Sequence, residues 1–314
     1  MTKLVSPDLV EPVVRGLLGA IDVDGGPTDE QLAILSAVTR HVWDRGDLQL
    51  TDLAPFGPAE TARIIGDTPA VRRFHYLLFL LEICSHPLTE AQVDRVEAYA
   101  AALSLDGMGL EMTRDLIRVG VERARADAAR FQADLAVIDA EPAFRDAATR
   151  GDFVDPRLFE ALDHFATLPE GTLGREFLAF HERFGLDAPG STHSDSVYLF
   201  FSHDMNHVIA GYDPVAEGEM ALGAFQMGMA DTDVSWLLCL NNLAIHEAGI
   251  LQFESIAPKA ETLARPGVAE TFAIALRRGT QCTADFASAD HLALADLPLE
   301  EVRARFGVPP LPSA

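Results

Sequence analysis

Tyr198-Leu199-Phe200-Phe201-Ser202-His203-Asp204-Met205-Asn206-His207-Val208-Ile209-Ala210-Gly211-Tyr212-Asp213-Pro214 reads as a helix with a defined stop. An α-helix turns about 100° per residue, so His207 lies about 40° round from His203, and Asp204 about 60° from His207. The three share one face, with the histidines one turn apart. Gly211 permits a reversal and Pro214 disfavours helix in the residue before it, so the helix ends there. A second helix starting near Pro214 would run back and can bring Glu219 to the same point. Two imidazoles with one or two carboxylates suit zinc, iron or manganese. Of His203, Asp204, His207 and Glu219, fewer than all four need be direct ligands. The apolar residues on either side would keep the imidazoles neutral and able to ligate. The competing reading is two hydrogen-bonded histidines of a core or surface, and a carboxylate across a turn weighs against it.

The composition bounds what such a site can serve. The chain has 314 residues, room for one large or two ordinary domains, and its 48% apolar content is enough for a substantial core. Its 48 acidic and 24 basic residues give a formal charge of −24. That charge repels phosphate backbones, so nucleic acid is not an expected partner. It also disfavours simple docking on anionic lipid, though a local apolar face can still touch a membrane. Cys84, Cys239 and Cys282 lie far apart with no C-x-x-C pair and read as buried thiols of a reducing compartment. No signal-peptide core is present at the start. The strongest apolar run, Phe74 to Cys84, is too short to span and contains His75 and Glu82. The expected location is cytoplasmic, with contact at the periphery of the inner membrane as an option.

Helical punctuation runs through the whole chain. Ser6-Pro7 is a capping hydroxyl followed by proline, and Val10, Val13, Val14, Leu17 and Leu18 follow at helical spacing. Thr28-Asp29-Glu30-Gln31 reads as a capping box, with Gly46 closing its helix, and Thr89-Glu90-Ala91-Gln92 reads as a second box. Thr68-Pro69 opens an apolar helix between them. Leu110 to about Ile138 reads as one long helix, with Glu122 to Arg130 as a solvated face. Glu141-Pro142 and Arg150-Gly151-Asp152 mark a boundary. Beyond it, helices are expected from Pro156 to Thr167, after a Thr172 cap through Phe180, from Glu219 to about Met229 and from Asp233 to about Phe253. Glu261 to Arg278 and Leu299 to Phe306 complete the set. The fold class expected is all-α, two packed helical domains at 1–150 and 151–314, with a metal site between helices of the second.

The two capping boxes look like one unit used twice, each behind a polar loop, Asp22-Val23-Asp24-Gly25-Gly26 and Cys84-Ser85-His86-Pro87. That pattern is similar to tellurite-resistance TerB-like domains, whose loops carry Asp-Gly followed by a glutamate. Here Gln31 stands where the glutamate is expected, and Ser85-His86 replaces the second Asp-Gly. A solvated turn is therefore the expected role of Asp22 and Asp24.

In the second half, H-D-x-x-H and its trailing glutamate resemble the metal motif of the fourth coenzyme Q (ubiquinone) biosynthesis protein family. Leu168-Pro169-Glu170-Gly171-Thr172-Leu173-Gly174-Arg175-Glu176-Phe177-Leu178 looks like that family's opening segment. Gly218-Glu219, Phe225, Arg277-Arg278-Gly279 and Leu297-Pro298-Leu299-Glu300-Glu301-Val302-Arg303 fit its later pattern. The resemblance implies ubiquinone or related prenylquinone biosynthesis, acting on polyprenylated aromatic precursors and replacing a ring carboxylate by hydroxyl. It implies a divalent metal, zinc first and iron or manganese as alternatives, held by His203, Asp204, His207 and Glu219. Partners would be a prenylated aromatic lipid or quinone precursor, other biosynthetic proteins and a second copy of the chain in a homo-oligomer. Two departures bear on the substrate: Ser196 to Ser202 lacks an Arg-rich stretch, and Asn206 replaces a hydrophobic residue.

Enzyme or not stays open at this point. One alternative is a non-catalytic prenyl-lipid scaffold with a structural metal, and another is a metal-dependent hydrolase. Arg175 can hold an anionic substrate group with its planar fork or buttress a helix start. His246-Glu247-Ala248-Gly249-Ile250 begins like a zinc-protease helix but has Ile250 at the second histidine's place. His181 and His193 lie near the motif in sequence only, and His86 and His291 have no evident partner. Val215-Met220-Leu222 and Leu237-Leu243 can wall a prenyl tunnel, although core packing gives the same pattern.

Overall fold

The structure is a computed structural model that describes residues 5–105, 114–115, 118–120, 136–152, 155–191, 196–230, 232–250, 252 and 256–312. Among the described residues the chain is helical, with no strand and two isolated bridge pairs. It packs as two compact units, Met1–Ala128 with Leu240–Arg277, and Ala129–Cys239 with Arg278–Ala314. The division into domains 1–150 and 151–314 stands as a proposal, and the packing groups residues 240–277 with the first unit. The long helix from Leu110 to Ile138 and His193 lie, wholly or largely, outside the described residues.

The first unit contains α1 (Pro7–Ile21), α2 (Asp29–Ala37), α3 (Pro58–Ile65), α4 (Ala70–Ile83) and α5 (Glu90–Leu103). Val13, Val14 and Leu17 of α1 are fully buried, as are Phe74 and Leu78 of α4 and Tyr99 of α5. The Thr28 capping box forms as the sequence suggests, with Thr28 Oγ1 accepting from Gln31 N at 3.1 Å and Gln31 Oε1 accepting from Thr28 N at 2.9 Å. The second box forms only by half. Thr89 Oγ1 accepts from Gln92 N at 3.1 Å, but the Gln92 amide is fully buried and donates to Ala20 O at 3.0 Å instead. A buried amide left without a partner costs more than a missing cap, so the interior takes it. Thr28 Oγ1 reaches Cys84 O at 3.5 Å and Gln31 Nε2 donates to Leu81 O at 2.8 Å, tying the start of α2 to the end of α4.

Two expectations for this half need correction. Ser6 is the N-cap residue of α1, but its hydroxyl makes no capping bond; the N–H of Leu9, at the third position, donates to the Ser6 carbonyl at 2.9 Å. The second helix runs on as a short π-helical turn, Val38–Val42, and stops before Gly46. Asp22 and Asp24 are exposed in the turn, as expected, and Asp24, at φ 52°, also accepts from Thr89 Oγ1 at 2.7 Å.

The second unit contains α6 (Arg145–Arg150), α7 (Pro156–Thr167), α8 (Leu173–Phe184), α9 (Val197–Ala210), α10 (Ala216–Met229), the start of α11 (Asp233–His246), the end of α12 (Val268–Gln281), α13 (His291–Leu294) and α14 (Leu299–Phe306). Helix α8 runs past Phe180, α10 starts before Glu219, α11 stops at His246 and not near Phe253, and α12 starts at Val268 and not at Glu261. Phe144, Phe165, Phe177, Phe201, Phe225 and Phe286 are buried at its centre. Met220 and Leu222 are likewise buried while Val215 is 47% exposed, so that stripe is core and not a tunnel wall. No helix among the described residues is long and apolar enough to cross a membrane. All three cysteines are buried thiols.

The segments surrounding the histidine helix brace it. Leu173 N donates to Leu297 O at 2.9 Å, Gly174 N to Ala295 O at 2.9 Å and Leu299 N to Gly171 O at 2.8 Å, pairing the segment 168–178 with 297–303. Arg278 donates to Tyr212 Oη at 2.6 Å, Ala210 O at 3.1 Å and Pro309 O at 2.6 Å. Arg303 donates to Ile209 O and Val208 O, each at 3.0 Å. Two guanidinium groups thus cover carbonyls left open at the end of α9, where cations are favoured. Gly279 permits close approach of backbones, since a Cβ there would lie 2.0 Å from Phe225 O.

Candidate metal centre

Helix α9 ends at Gly211, at φ 84°, and the chain reverses into α10. Gly218 is what allows the reversal to be this tight, because a Cβ on it would sit 1.9 Å from Asp213 O. Glu219 follows, in the first turn of α10, and faces the two histidines. Its Oε2 is 3.2 Å from His203 Nε2 and its Oε1 is 3.1 Å from His207 Nε2. Ligand atoms of all three lie within 4.8 Å of one another. The expected convergence of His203, His207 and Glu219 is therefore present in the geometry.

Asp204 has a different place. Its Oδ1 is 3.3 Å from the other nitrogen of His203, Nδ1, and its Oδ2 is 3.0 Å from His181 Nε2. It stands behind His203, where an outer carboxylate fixes the ring and its tautomer. The sequence expectation that His181 is near in sequence only is thus corrected. Spacing within one helix cannot reveal such a pair, which depends on α8 packing against α9 through Phe177 and Phe201, with ring centroids 5.1 Å apart. Phe180 stacks on His207, with ring centroids 5.8 Å apart, and completes the apolar wall.

Protons decide what this cluster can hold. His207 Nδ1 is 2.9 Å from Tyr212 O, and a carbonyl only accepts, so Nδ1 carries a hydrogen and Nε2 is the nitrogen turned to Glu219. That Nε2 is buried, 3.1 Å from Glu219 Oε1. A buried imidazole nitrogen beside a carboxylate oxygen suits a cation, which would take the place of any proton between them. Burial opposes a charge on His203, but Glu219 and Asp204 outweigh it and raise its pKa to about 10. Burial likewise opposes charge on Glu219, and His207 and His203 hold it well below the usual carboxylate range. Asp204 is also held low, against its burial, by His181 and His203. Two imidazole nitrogens and a carboxylate fit zinc, with iron or manganese as alternatives.

A second network holds α9 from another side. The buried Glu141 accepts from His291 Nδ1 at 2.7 Å, His291 N at 2.8 Å and Ser202 Oγ at 3.1 Å. His291 Nε2 is 3.1 Å from Asn206 Oδ1, which gives the polar residue inside the histidine motif a role. Nearby, burial pushes Asp139 up to about 7, despite the opposing charges of His203 and His291. Arg175 is not brought into the cluster. It is half-buried in the first turn of α8, six residues from His181, about 9 Å along the helix axis and about 120° round it.

No family model matches the chain, and no curated protein matches it. The TerB-like reading of the first half consequently has no support. Among solved structures the chain is similar to that of a candidate ubiquinone biosynthesis protein from Nostoc punctiforme, with 21% identity. The match covers 75% of this chain and 97% of that one, at a TM-score of 0.35. A likeness that distant carries no argument about activity.

Proposed function

We propose that this chain is a ubiquinone or related prenylquinone biosynthesis protein that binds a polyprenylated aromatic precursor beside a divalent metal. The observation that supports the reading is the convergence of His203 Nε2, His207 Nε2 and Glu219 within 4.8 Å of one another. His203, His207 and Glu219 would hold the ion, and Asp204 would orient His203. When bound, the ion would supply Lewis-acid polarisation of a ring carboxylate or adjacent phenolic oxygen. The chain's own contribution is positional. Tyr212 O fixes the tautomer of His207, Asp204 and His181 fix His203, and Phe177 and Phe180 keep bulk water from the inner side. Asp139 would be a local proton reservoir near neutrality.

Replacement of a ring carboxylate by hydroxyl breaks the ring-to-carboxylate bond and releases carbon dioxide. A ring–oxygen bond forms in its place and two electrons leave. With water supplying the oxygen and dioxygen as co-substrate taking the electrons, the carboxylic acid, water and dioxygen give the phenol, carbon dioxide and hydrogen peroxide. The test is product formation from a prenylated hydroxybenzoate by the metal-loaded protein and its His207→Ala variant. Product that depends on His207 is the expected result; equal product from both proteins would rule out the catalytic role. The second reading is a non-catalytic prenyl-lipid scaffold that presents precursors to other enzymes. Retained lipid with no turnover would be its signature.

A further inference from the structure

We propose that Glu30, His86 and Glu247 form a second divalent-cation site, independent of the first, that holds a structural ion of the zinc class. All three belong to the first unit. Glu30 is in the first turn of α2, His86 in the loop between α4 and α5, and Glu247 directly follows the end of α11. His86 Nε2 is 2.7 Å from Glu247 Oε1 and 3.9 Å from Glu30 Oε2. Ligand atoms of the three lie within 4.8 Å of one another.

The site is built and not a chance meeting of acidic side chains. The Thr28 capping box sets the direction of Glu30, and Thr28 Oγ1 ties that turn to Cys84 O, two residues before His86. Glu247 is held by its second oxygen, which accepts from Leu263 N at 2.8 Å, leaving Oε1 directed at His86. Glu247 is fully buried and the Glu30 side chain is only 9% exposed. Glu30 Oε1 is inaccessible to solvent and has no hydrogen-bond partner. Neither carboxylate is paired with a lysine or arginine among the described residues.

Two buried carboxylates this close repel unless something positive lies between them. One imidazole and two carboxylates suit a transition-metal ion better than magnesium or calcium, which take oxygen alone. Such an ion would clamp the start of α2, the loop at His86 and the turn at Glu247, segments far apart in the sequence.

The test is zinc content of the full-length chain after equilibration with zinc and exhaustive dialysis. It is read in a His203→Ala, His207→Ala variant, so that failure of the first centre cannot affect it. The expected result is about one zinc equivalent retained, falling close to zero when either His86→Ala or Glu247→Gln is added. His86 is 20% exposed, so its removal tolerates folding, which circular dichroism checks. A folded histidine-pair variant without zinc would overturn the proposal and leave a shared proton as what relieves the two carboxylates. So would zinc that persists after both further substitutions.

Discussion

Metal uptake at the His203–His207–Glu219 centre should expel a proton. In the metal-free chain Glu219 and Asp204 outweigh burial and raise the pKa of His203 to about 10. At pH 7 the ion must displace the His203 proton against a gap of about three pH units, a competition worth about 4 kcal/mol. Apparent affinity should therefore rise about tenfold for each pH unit, or about a hundredfold between pH 6 and pH 8. The assay is cobalt titration against a competing chelator at pH 6, 7 and 8. It is done in a Glu247→Gln background so that only this centre is read. Calorimetry in two buffers of different ionisation enthalpy should count about one proton released per ion. An affinity constant across that range, with no proton released, would refute the assignment of the proton to His203.

Further expectations come from the groups around the centre. Removing His181 should weaken metal binding by about 10- to 100-fold in the same titration, because Asp204 then loses one of its two anchors. Arg278→Met should lower stability by about 3 kcal/mol in urea unfolding, since three acceptors lose a 5%-exposed guanidinium. Gly279→Ala should cost about 1–3 kcal/mol by forcing α12 from Phe225 O, and an unchanged midpoint would contradict that packing. The metal-free chain should be more stable near pH 5 than near pH 9. Burial raises Asp139 to about 7 and Glu30 to about 9, and the neighbouring carboxylates raise His203 to about 10. Each raised group contributes stability that is complete below its unfolded value and is lost as pH rises through its folded value. Unfolding midpoints measured at the two pH values check the sign.

The helical fold is readable because caps and apolar spacing are local. Thr28, Gly211 and the Val10-to-Leu18 stripe each act within a turn or two. The same holds for His203 and His207, one turn apart, and for Glu219 across a short reversal. His181 and His86 do not announce themselves, since their partners Asp204 and Glu247 are 23 and 161 residues away. Glu247 was hidden inside a motif rejected for want of a second histidine. Local signals fail where tertiary contacts override them, as with the Gln92 side chain, which turns inward to Ala20 O, and with the turn that brings Glu247 inward. The segments 168–178 and 297–303 and the residues Arg278 and Gly279 lie outside the metal cluster. They brace α9 and α10, so their presence beside the histidine motif is a requirement of packing.

The proposed function places an ion between α9 and α10. Crystals of the full chain grown with zinc, with anomalous diffraction recorded on either side of the zinc edge, test it most directly. The account predicts an anomalous peak at bonding distance from His203 Nε2, His207 Nε2 and Glu219, with Asp204 behind His203. Zinc present in the crystals with no peak at that point, and Glu219 still against both rings, would contradict it.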